Sequence, residues 1–156
     1  MHYSVSYTTR EPRKGEENGV DYFFISKEDF IRGIDTGAWV EWAEVHDNFY
    51  GTALEFLKSG ISSGRDILLD IDVQGTLQIL KQFPESITIF IMPPSLDILR
   101  QRIERRGTDS REVIEKRLEN ARGEIEGKKH YSHVIVNDQL EKAFSELIDI
   151  ILQYPG

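Results

Sequence analysis

From Tyr3 to Thr52, short apolar and polar stretches alternate in a pattern typical of strands separated by turns. The runs YSVSY, VDYFFI and AWVEWAEV are separated by the turn-rich REPRKGEENG and followed by DNFYGT. One short helix is predicted among them, because Ser26 and Asp29 resemble a capping box and Gly37 stands where a helix would end. Residues 3–56 are therefore predicted to form a small, mainly β lobe.

After Gly64 the pattern changes to short, nearly continuous apolar runs, which are typical of strands covered on both faces. These runs are DILLDID, ITIFIM and HVIVND, and amphipathic helical segments lie between and after them. The clearest amphipathic stripe begins at Leu140, with Asp138 and Glu141 as its predicted capping pair. The order β-α-β-α-α-β-α predicts an α/β fold with a parallel sheet over residues 57–156.

Composition and charge narrow the possible classes of protein. The chain has 156 residues, a formal net charge of -8 and no cysteine, so disulfides, thiolate nucleophiles and Cys-ligated zinc are excluded. No apolar run approaches the ~20 residues of a membrane span, and the N-terminus does not read as a signal peptide. The acidic balance argues against binding a nucleic-acid backbone. We therefore expect a cytoplasmic protein with no nucleic-acid or membrane partner, in which any anion site is local.

A cationic cluster near the N-terminus contrasts with this net charge. SVSYTTREPR brings hydroxyl and guanidinium groups together, and these groups bind phosphate monoesters through charge-assisted hydrogen bonds. The alternative is a solvated turn after an edge strand. Tyr22 and Tyr50 either add phenolic donors to the same anion or only pack within their strands. The cluster consists of Ser6, Thr8, Thr9, Arg10 and Arg13.

Three carboxylates occur where strands could present them to a ligand. Glu41, within AWVEWAEV, could accept two hydrogen bonds from a guanine, or it could be a strand-edge residue that reaches water. Asp70 and Asp72 lie at the carboxyl end of a predicted parallel strand, where ligands of α/β sheets bind. They could hold a base or a Mg²⁺ shell, or cap the helix that begins near Gln74, and these two interpretations are compatible.

Arginines concentrate between Arg100 and Arg122, in RQRIERRGTDSREVIEKRLENAR. A solvated helix face with Glu–Arg pairs is the ordinary explanation. However, RRGTDS contains a glycine that would end one helix and a cap that would begin the next, which predicts a hinged hairpin with arginines at its tip. Such a hairpin could close over a polyphosphate. Charge patterning alone does not separate the two interpretations.

Taken together, these segments resemble the guanylate kinase family, which transfers a phosphoryl group from ATP to GMP. The resemblance rests on SVSYTTREPRKGEENGVDYFF, EWAEVHDNFYGT, LLDIDVQG, IFIMPPS, RRGTDS and VIVND, which follow the family order through almost the whole chain. It implies a P-loop kinase-like parallel sheet with helices, a GMP-binding lobe at 3–56, and an Arg-rich lid at about 104–122 within the remaining core, 57–156.

The resemblance also implies roles for individual residues. The GMP phosphate would be bound by Ser6, Arg10, Arg13, Tyr22 and Tyr50. The guanine would be bound by Glu41, Thr52 and Asp72. The transferring phosphoryl group would be neutralised by Arg102, Arg106 and Arg117. Asp70 would support Mg²⁺ or the acceptor, and Asn137 would lie on the adenine side. Mg²⁺ would arrive with ATP, and we expect no metal bound directly by the protein and no tightly bound cofactor.

One part of the family pattern is not found. Members carry a buried strand and a Gly-rich P-loop before the SVS segment, whereas no G-x-x-x-x-G-K-[ST] occurs in this sequence. Without those backbone N–H groups, the Lys and the hydroxyl, phosphoryl transfer loses its main charge-stabilising groups. We therefore expect the chain to lack the first strand and P-loop of the fold, and not to be a competent kinase.

Two functional hypotheses follow from this departure. One is a guanylate kinase whose true start lies upstream. The other is a non-catalytic guanylate-kinase-like module that binds GMP or a phosphorylated partner. Because the missing strand would lie in the middle of the parallel sheet, its loss would leave apolar strand edges and a trough in the core. Rearrangement, self-association or marginal stability is therefore expected.

Overall fold

The structure is a computed structural model that describes residues 1–45, 47–107 and 110–154 and, of Arg106, the backbone only. These residues form two compact units. The first is Met1–Ser86, and the second begins at Ile87. The predicted GMP-binding lobe at 3–56 is a functional division, and it stays a prediction.

The first unit contains the mainly β part of the chain. Its strands are β1 (His2–Tyr3), β2 (Tyr7–Thr8), β3 (Phe23–Phe24), β4 (Trp39–Val45), β5 (Asn48–Ala53) and β6 (Ile67–Leu68). Its helices are α1 (Lys27–Asp35), α2 (Leu54–Ser62) and α3 (Val73–Gln82). One sheet has the order β3-β2-β5-β4, with β5 antiparallel to both β2 and β4. A separate pairing joins β1 and β6 in parallel.

Helix α1 forms where the sequence predicts a helix, and Ser26 is its N-cap as predicted. The Asp29 backbone N–H donates to Ser26 Oγ over 3.0 Å, and the Ser26 hydroxyl donates back to the Asp29 carboxylate. From this helix Phe30 is fully buried, and its ring stacks on Trp39 at 4.5 Å and on Phe49 at 5.3 Å. This aromatic stack anchors α1 to β4 and β5.

The second unit contains the remaining strands and helices. They are β7 (Ile89–Met92), α4 (Leu96–Arg106), α5 (Arg111–Gly127), a 3₁₀ turn (Lys128–His130), β8 (His133–Val136) and α6 (Leu140–Leu152). Strands β7 and β8 pair in parallel. From β6 onward the observed order is β-α-β-α-α-β-α, so the predicted order is confirmed, as is the parallel pairing of β7 with β8. In the described residues β6 pairs with β1 instead, so the single parallel sheet predicted for residues 57–156 is wrong in this respect.

The helical hairpin of α4 and α5 is confirmed within the described residues. Gly107 ends α4 with a left-handed φ of 67°, and Ser110 caps α5 by accepting from the Val113 N–H. Ile103, Ile114 and Leu118 form the buried contact between the two helices. Residues 108 and 109 of the predicted tip lie outside the described residues, and closure of this hairpin as a lid stays a prediction.

The prediction that the later strands are covered on both faces is wrong. Leu68 of β6 is 40% exposed, Ile91 of β7 is 53% exposed and Val136 of β8 is 48% exposed. In the described residues each of these strands has one neighbouring strand, so each belongs to a two-stranded ribbon. A ribbon this narrow leaves an edge and part of one face without packing partners.

Helix α6 also differs from its prediction. Its N-cap is Gln139, which makes no side-chain cap bond, so the predicted Asp138–Glu141 capping pair is wrong. Ala143 and Ile150 pack on the buried Ile135 of β8, whereas other members of the predicted stripe face outward. Leu140, Phe144 and Leu152 are 69%, 61% and 72% exposed. The expected self-association stays a prediction, as does the cytoplasmic location.

None of the helices, as far as they are described, combines the length and apolar character needed to cross a bilayer.

Candidate functional site

The guanidinium of Arg10 is held in a fixed orientation in the first unit. Its two terminal nitrogens donate to the two carboxylate oxygens of Glu16 over 3.0 and 2.9 Å. Its charge lies over the rings of Tyr22 and Phe24, 5.4 and 5.8 Å from their centroids. Because both ends of the ion pair are largely buried, with 14% and 18% of the side chains exposed, the guanidinium is far less mobile than one on a solvated turn.

The threonine hydroxyls of the N-terminal cluster hold the backbone that carries Arg10. Thr8 Oγ1 donates to the Phe49 carbonyl over 3.0 Å, and Thr9 Oγ1 accepts from the Phe49 N–H over 2.9 Å. Thr8 Oγ1 also accepts from the Arg10 N–H over 3.2 Å. Ser6 bonds through its backbone, because its carbonyl accepts from the Phe23 N–H. The two threonines therefore fix Arg10 relative to β5.

Two tyrosines complete the surroundings of Arg10. The rings of Tyr22 and Tyr50 lie 6.0 Å apart, edge to face. The hydrogen bond to Glu16 is the main cause that raises the pKa of Arg10, and Tyr50 adds to the shift. Burial raises the pKa of Tyr22, with the neighbouring Tyr50 and the exposed Asp70 adding to the shift. The structure thus brings Arg10, Tyr22 and Tyr50 into one cluster, here called the Arg10 cluster.

Glu16 also belongs to the Arg10 cluster, although its role was not predicted from the sequence. Besides the Arg10 ion pair, Glu16 accepts from the backbone N–H of Arg13 over 2.7 Å, and Arg13 itself is exposed. The Arg10 hydrogen bond is the main cause that lowers the pKa of Glu16, followed by the Arg13 N–H. The spacing in the sequence could have indicated this contact, because Glu16 follows Arg13 by three residues and Arg10 by six.

Glu41 is buried in the hairpin of β4 and β5, with 4% of its surface exposed. Thr52 lies opposite it in the strand register and donates its hydroxyl to Glu41 Oε1 over 2.6 Å. Burial is the main cause that raises the Glu41 pKa, and the charge of Asp72 raises it further, whereas the Thr52 bond lowers it. The alternative of a strand-edge glutamate that reaches water is therefore wrong.

Asp72 is the N-cap of α3, and its charge also raises the pKa of Glu41. Its Oδ1 accepts from the Gly75 N–H over 2.7 Å, which confirms the predicted helix N-cap. Gly75 in the first turn of α3 lies directly against Glu41, because a Cβ at this position would be 2.5 Å from Glu41 Oε2. Glu41, Thr52 and Asp72, the Glu41 cluster, thus meet at the start of α3.

We expect Gly75→Ala to destabilise the fold although alanine favours helices. Alanine in a helix interior stabilises by about 1 kcal/mol over glycine, but overpacking against the buried Glu41 costs about 1–3 kcal/mol. Gly123→Ala in α5 is the matched control, since a Cβ there meets no atom within 4 Å. Urea unfolding should show Gly123→Ala stabilised and Gly75→Ala destabilised. Equal gains at both positions would contradict the close approach.

Strand β5 connects the two clusters. Tyr50 of the Arg10 cluster and Thr52 of the Glu41 cluster are two residues apart, so their side chains lie on the same face about 7 Å apart. Tyr50 pairs with Ala43 and Thr52 with Glu41 in the hairpin register. One small ligand could therefore contact a cationic, phenolic group at one end and a carboxylate at the other.

The site residues predicted in the second unit lie in α4, in α5 and directly after β8. Arg102 of α4 donates to the Asp138 carbonyl over 3.2 Å, which places it beside Asn137 at the end of β8. Arg117 lies in α5, and Arg106 ends α4 with its side chain outside the described part. Arg100 bonds Glu115 across the hairpin at 2.5 and 2.9 Å, so the Glu–Arg pairing explanation holds for that arginine.

No metal centre is formed by the part of the chain that the structure describes: its acidic and histidine side chains do not gather in groups of three or more that could hold a metal ion.

The fold and the site together define the class of protein. This is an α/β protein in which a buried carboxylate cluster adjoins a cationic, hydroxyl-bearing one, as suits a ligand with a phosphate and hydrogen-bonding groups. The family model for guanylate kinase matches residues 1–154. The chain belongs to the guanylate kinase family, whose members are phosphotransferases.

Individual relatives agree with this assignment. The chain is 50% identical over 151 residues to a guanylate kinase of Neisseria gonorrhoeae, covering 97% of this chain and 74% of that protein. For a guanylate kinase of Geobacter sulfurreducens the identity is 47% over 152 residues, with 97% and 75% covered. The crystal structure of guanylate kinase from Anaplasma phagocytophilum matches with a TM-score of 0.84 and 38% identity, covering 97% of this chain and 74% of that one.

Proposed function

We propose that the first unit binds GMP, with the phosphate at the Arg10 cluster and the guanine at the Glu41 cluster. The observation that carries this proposal is the buried Glu41 carboxylate beside Asp72. Burying one carboxylate next to another is unfavourable for folding, and such groups concentrate at functional sites. A ligand that donates hydrogen bonds to Glu41 would offset this cost.

The Arg10 cluster has donors suited to a phosphate monoester. Glu16 and the Glu11 carbonyl occupy three terminal N–H groups of Arg10, and two of the five N–H donors of a guanidinium are left for an anion. The phenolic hydroxyls beside it add neutral donors, and a phosphate accepts both kinds of bond. The residues proposed for this contact are Ser6, Arg10, Arg13, Tyr22 and Tyr50.

The Glu41 cluster has acceptors suited to guanine rather than adenine. A carboxylate can accept from the guanine N1–H and the exocyclic amine together, a two-point contact that adenine cannot make. Thr52 orients the Glu41 carboxylate by donating to one oxygen. Asp72, held as the N-cap of α3, is proposed as the second acidic contact.

For catalysis we propose the family reaction, ATP + GMP → ADP + GDP, at a site to which this chain contributes residues. The bond between Arg102 and the Asp138 carbonyl supports a location near the proposed adenine side at Asn137. Mg²⁺ would enter with ATP and supply charge stabilisation when bound, with Asp70 as a supporting carboxylate. The proposed phosphoryl-neutralising residues are Arg102, Arg106 and Arg117.

We also propose that a polypeptide of this sequence binds GMP without appreciable phosphoryl transfer. The ground is that its 156 residues contain no G-x-x-x-x-G-K-[ST] cradle for the donor phosphates. The same observation favours a second candidate, a non-catalytic module that binds GMP or a phosphorylated partner. Binding a phosphopeptide would need only the phosphate contact and would leave the Glu41 cluster unused. The presence of that cluster therefore favours GMP over a phosphorylated protein as the ligand.

Calorimetric titration with GMP, AMP and a phosphoserine peptide tests these alternatives. We expect GMP to bind about 100-fold more tightly than AMP, because AMP leaves a buried acceptor unpaired. A coupled ADP assay with ATP and GMP should show no turnover. Equal affinity for GMP and AMP would overturn the guanine assignment, tightest binding of the peptide would support the module, and measurable turnover would refute the non-catalytic proposal.

A further inference from the structure

Two glutamines of α3 bind the outer edge of β4. Gln78 pairs with the backbone of Trp42 in both directions: its Nε2 donates to the Trp42 carbonyl over 2.7 Å, and its Oε1 accepts from the Trp42 N–H over 3.2 Å. Gln82 Nε2 donates to the Val40 carbonyl over 2.7 Å. Strand β4 is the last strand of its sheet, so these amides take the place of a neighbouring strand.

The spacing of these contacts follows from the two backbones. Four residues along a helix rise about 6 Å, and two residues along a strand rise about 7 Å. Gln78 and Gln82 therefore face Trp42 and Val40 with little mismatch, and the helix runs antiparallel to the strand. Gln82, one helical turn after Gln78, is therefore positioned to make the bond to the Val40 carbonyl.

Glu41 lies between the two bonded positions, Val40 and Trp42. Its carboxylate meets the first turn of α3, where Gly75 allows the close approach and Asp72 is the N-cap. The distance between Glu41 and Asp72 is therefore determined by how β4 is attached to α3. Three hydrogen bonds of the glutamine amides contribute to this attachment.

We propose that Gln78, assisted by Gln82, is a positioning residue for guanine recognition, because its amide fixes the Glu41 carboxylate relative to Asp72. This inference rests on the proposed binding of guanine by Glu41. Gln78 makes no contact with the guanine itself; it holds the strand from which Glu41 projects. Both a donor and an acceptor are needed at position 78, since the Trp42 carbonyl and N–H face the same amide.

Gln78→Met and Gln78→Glu separate positioning from simple packing. Methionine keeps the length of the side chain but makes neither bond, and glutamate can accept from the Trp42 N–H but cannot donate to its carbonyl. We expect each variant to lower the ratio of GMP to AMP affinity about tenfold, the effect of losing one or two hydrogen bonds. Gln82→Met, which loses one bond, should have a smaller effect. The control is Gln74→Met, an exposed glutamine one turn earlier on α3, for which no change is expected.

A double-mutant cycle with Glu41→Gln tests whether Gln78 acts through Glu41. Calorimetry should show that Gln78→Met no longer changes the GMP to AMP ratio once Glu41 is glutamine. A purely structural role predicts lower melting temperature with an unchanged ratio, and that result would overturn the inference. If the wild-type chain shows no GMP preference, the proposed function fails instead; if it does and Glu41→Gln abolishes it while Gln78→Met does not, only this inference fails.

Discussion

Glu41→Gln is expected to weaken GMP binding about 100-fold and, at neutral pH, to raise the melting temperature of the unliganded chain. Glutamine keeps the shape of the side chain and can still accept from Thr52. Its amide N–H₂ group, however, would face the guanine donors, so charged hydrogen bonds worth about 1.5–3 kcal/mol each are lost. The unliganded chain gains stability because a buried charge next to Asp72 is removed.

The pH dependence of both effects has a definite sign. Since burial raises the pKa of Glu41 in the folded chain, folding favours the protonated carboxyl. The stabilisation from Glu41 is therefore present below the pKa of an unfolded glutamate, about 4.3, and is lost as pH rises through the raised value. GMP requires the ionised form, so GMP affinity falls as pH is lowered through the same raised pKa.

Melting curves and calorimetry of wild type and Glu41→Gln over about pH 4–8 check this prediction. The melting temperatures should converge at the acidic end and separate as pH rises. Glu44→Gln on the same strand is the matched control, because Glu44 is exposed and its replacement should leave GMP affinity and its pH profile unchanged. A Glu41→Gln chain that is less stable at every pH, or that retains the GMP preference, would contradict the assignment.

Arg10→Ala is expected to weaken GMP and AMP binding by the same large factor, about 100-fold, without changing their ratio. Both nucleotides share the phosphate, and removing one partner of a charge-assisted contact costs about 2–5 kcal/mol. Part of that loss arises because Glu16 would then face the phosphate without its cation. Arg10→Lys should rescue poorly, since an ammonium cannot bond Glu16 and the phosphate with the planar fork of a guanidinium.

The double variant Arg10→Ala with Glu16→Ala isolates the part of the loss that comes from leaving the Glu16 carboxylate without its cation. It should bind GMP more tightly than Arg10→Ala alone, because the uncompensated carboxylate is gone. Arg32→Ala is the control, as Arg32 pairs with Asp29 at an exposed site in the same unit. Calorimetry with GMP and AMP measures these four variants against wild type. A change in the GMP to AMP ratio on Arg10→Ala, or undiminished affinity, would exclude Arg10 from the phosphate contact.

Local signals in the sequence are sufficient for most of the secondary structure. The Ser26 cap, the Gly107 stop and the Ser110 restart each depend on hydrogen bonds within a few residues, so they appear where the pattern predicts. The order of strands and helices after Gly64 follows from apolar periodicity for the same reason. The start of α6 is predicted less accurately from the sequence, because its N-cap makes no side-chain hydrogen bond.

Burial of the strands and of α6 could not be predicted from periodicity. An apolar run shows that a segment can be buried, but whether it is buried depends on neighbours distant in the sequence. Ile135 is fully buried by α6, whereas Val136 beside it is about half exposed. The two residues are chemically alike, and only the packing around β8 distinguishes them.

For the site, the sequence alone determined which chemistry is available: an arginine and hydroxyl cluster, a strand glutamate and two aspartates after a strand. The tertiary structure decided which of these groups meet. It paired Thr52 with the buried Glu41, set Asp72 beside them, and joined Gln78 to Trp42 across 36 residues. Residue type depends on local sequence, but pKa, orientation and the partner of a buried polar group depend on contacts that only the folded chain creates.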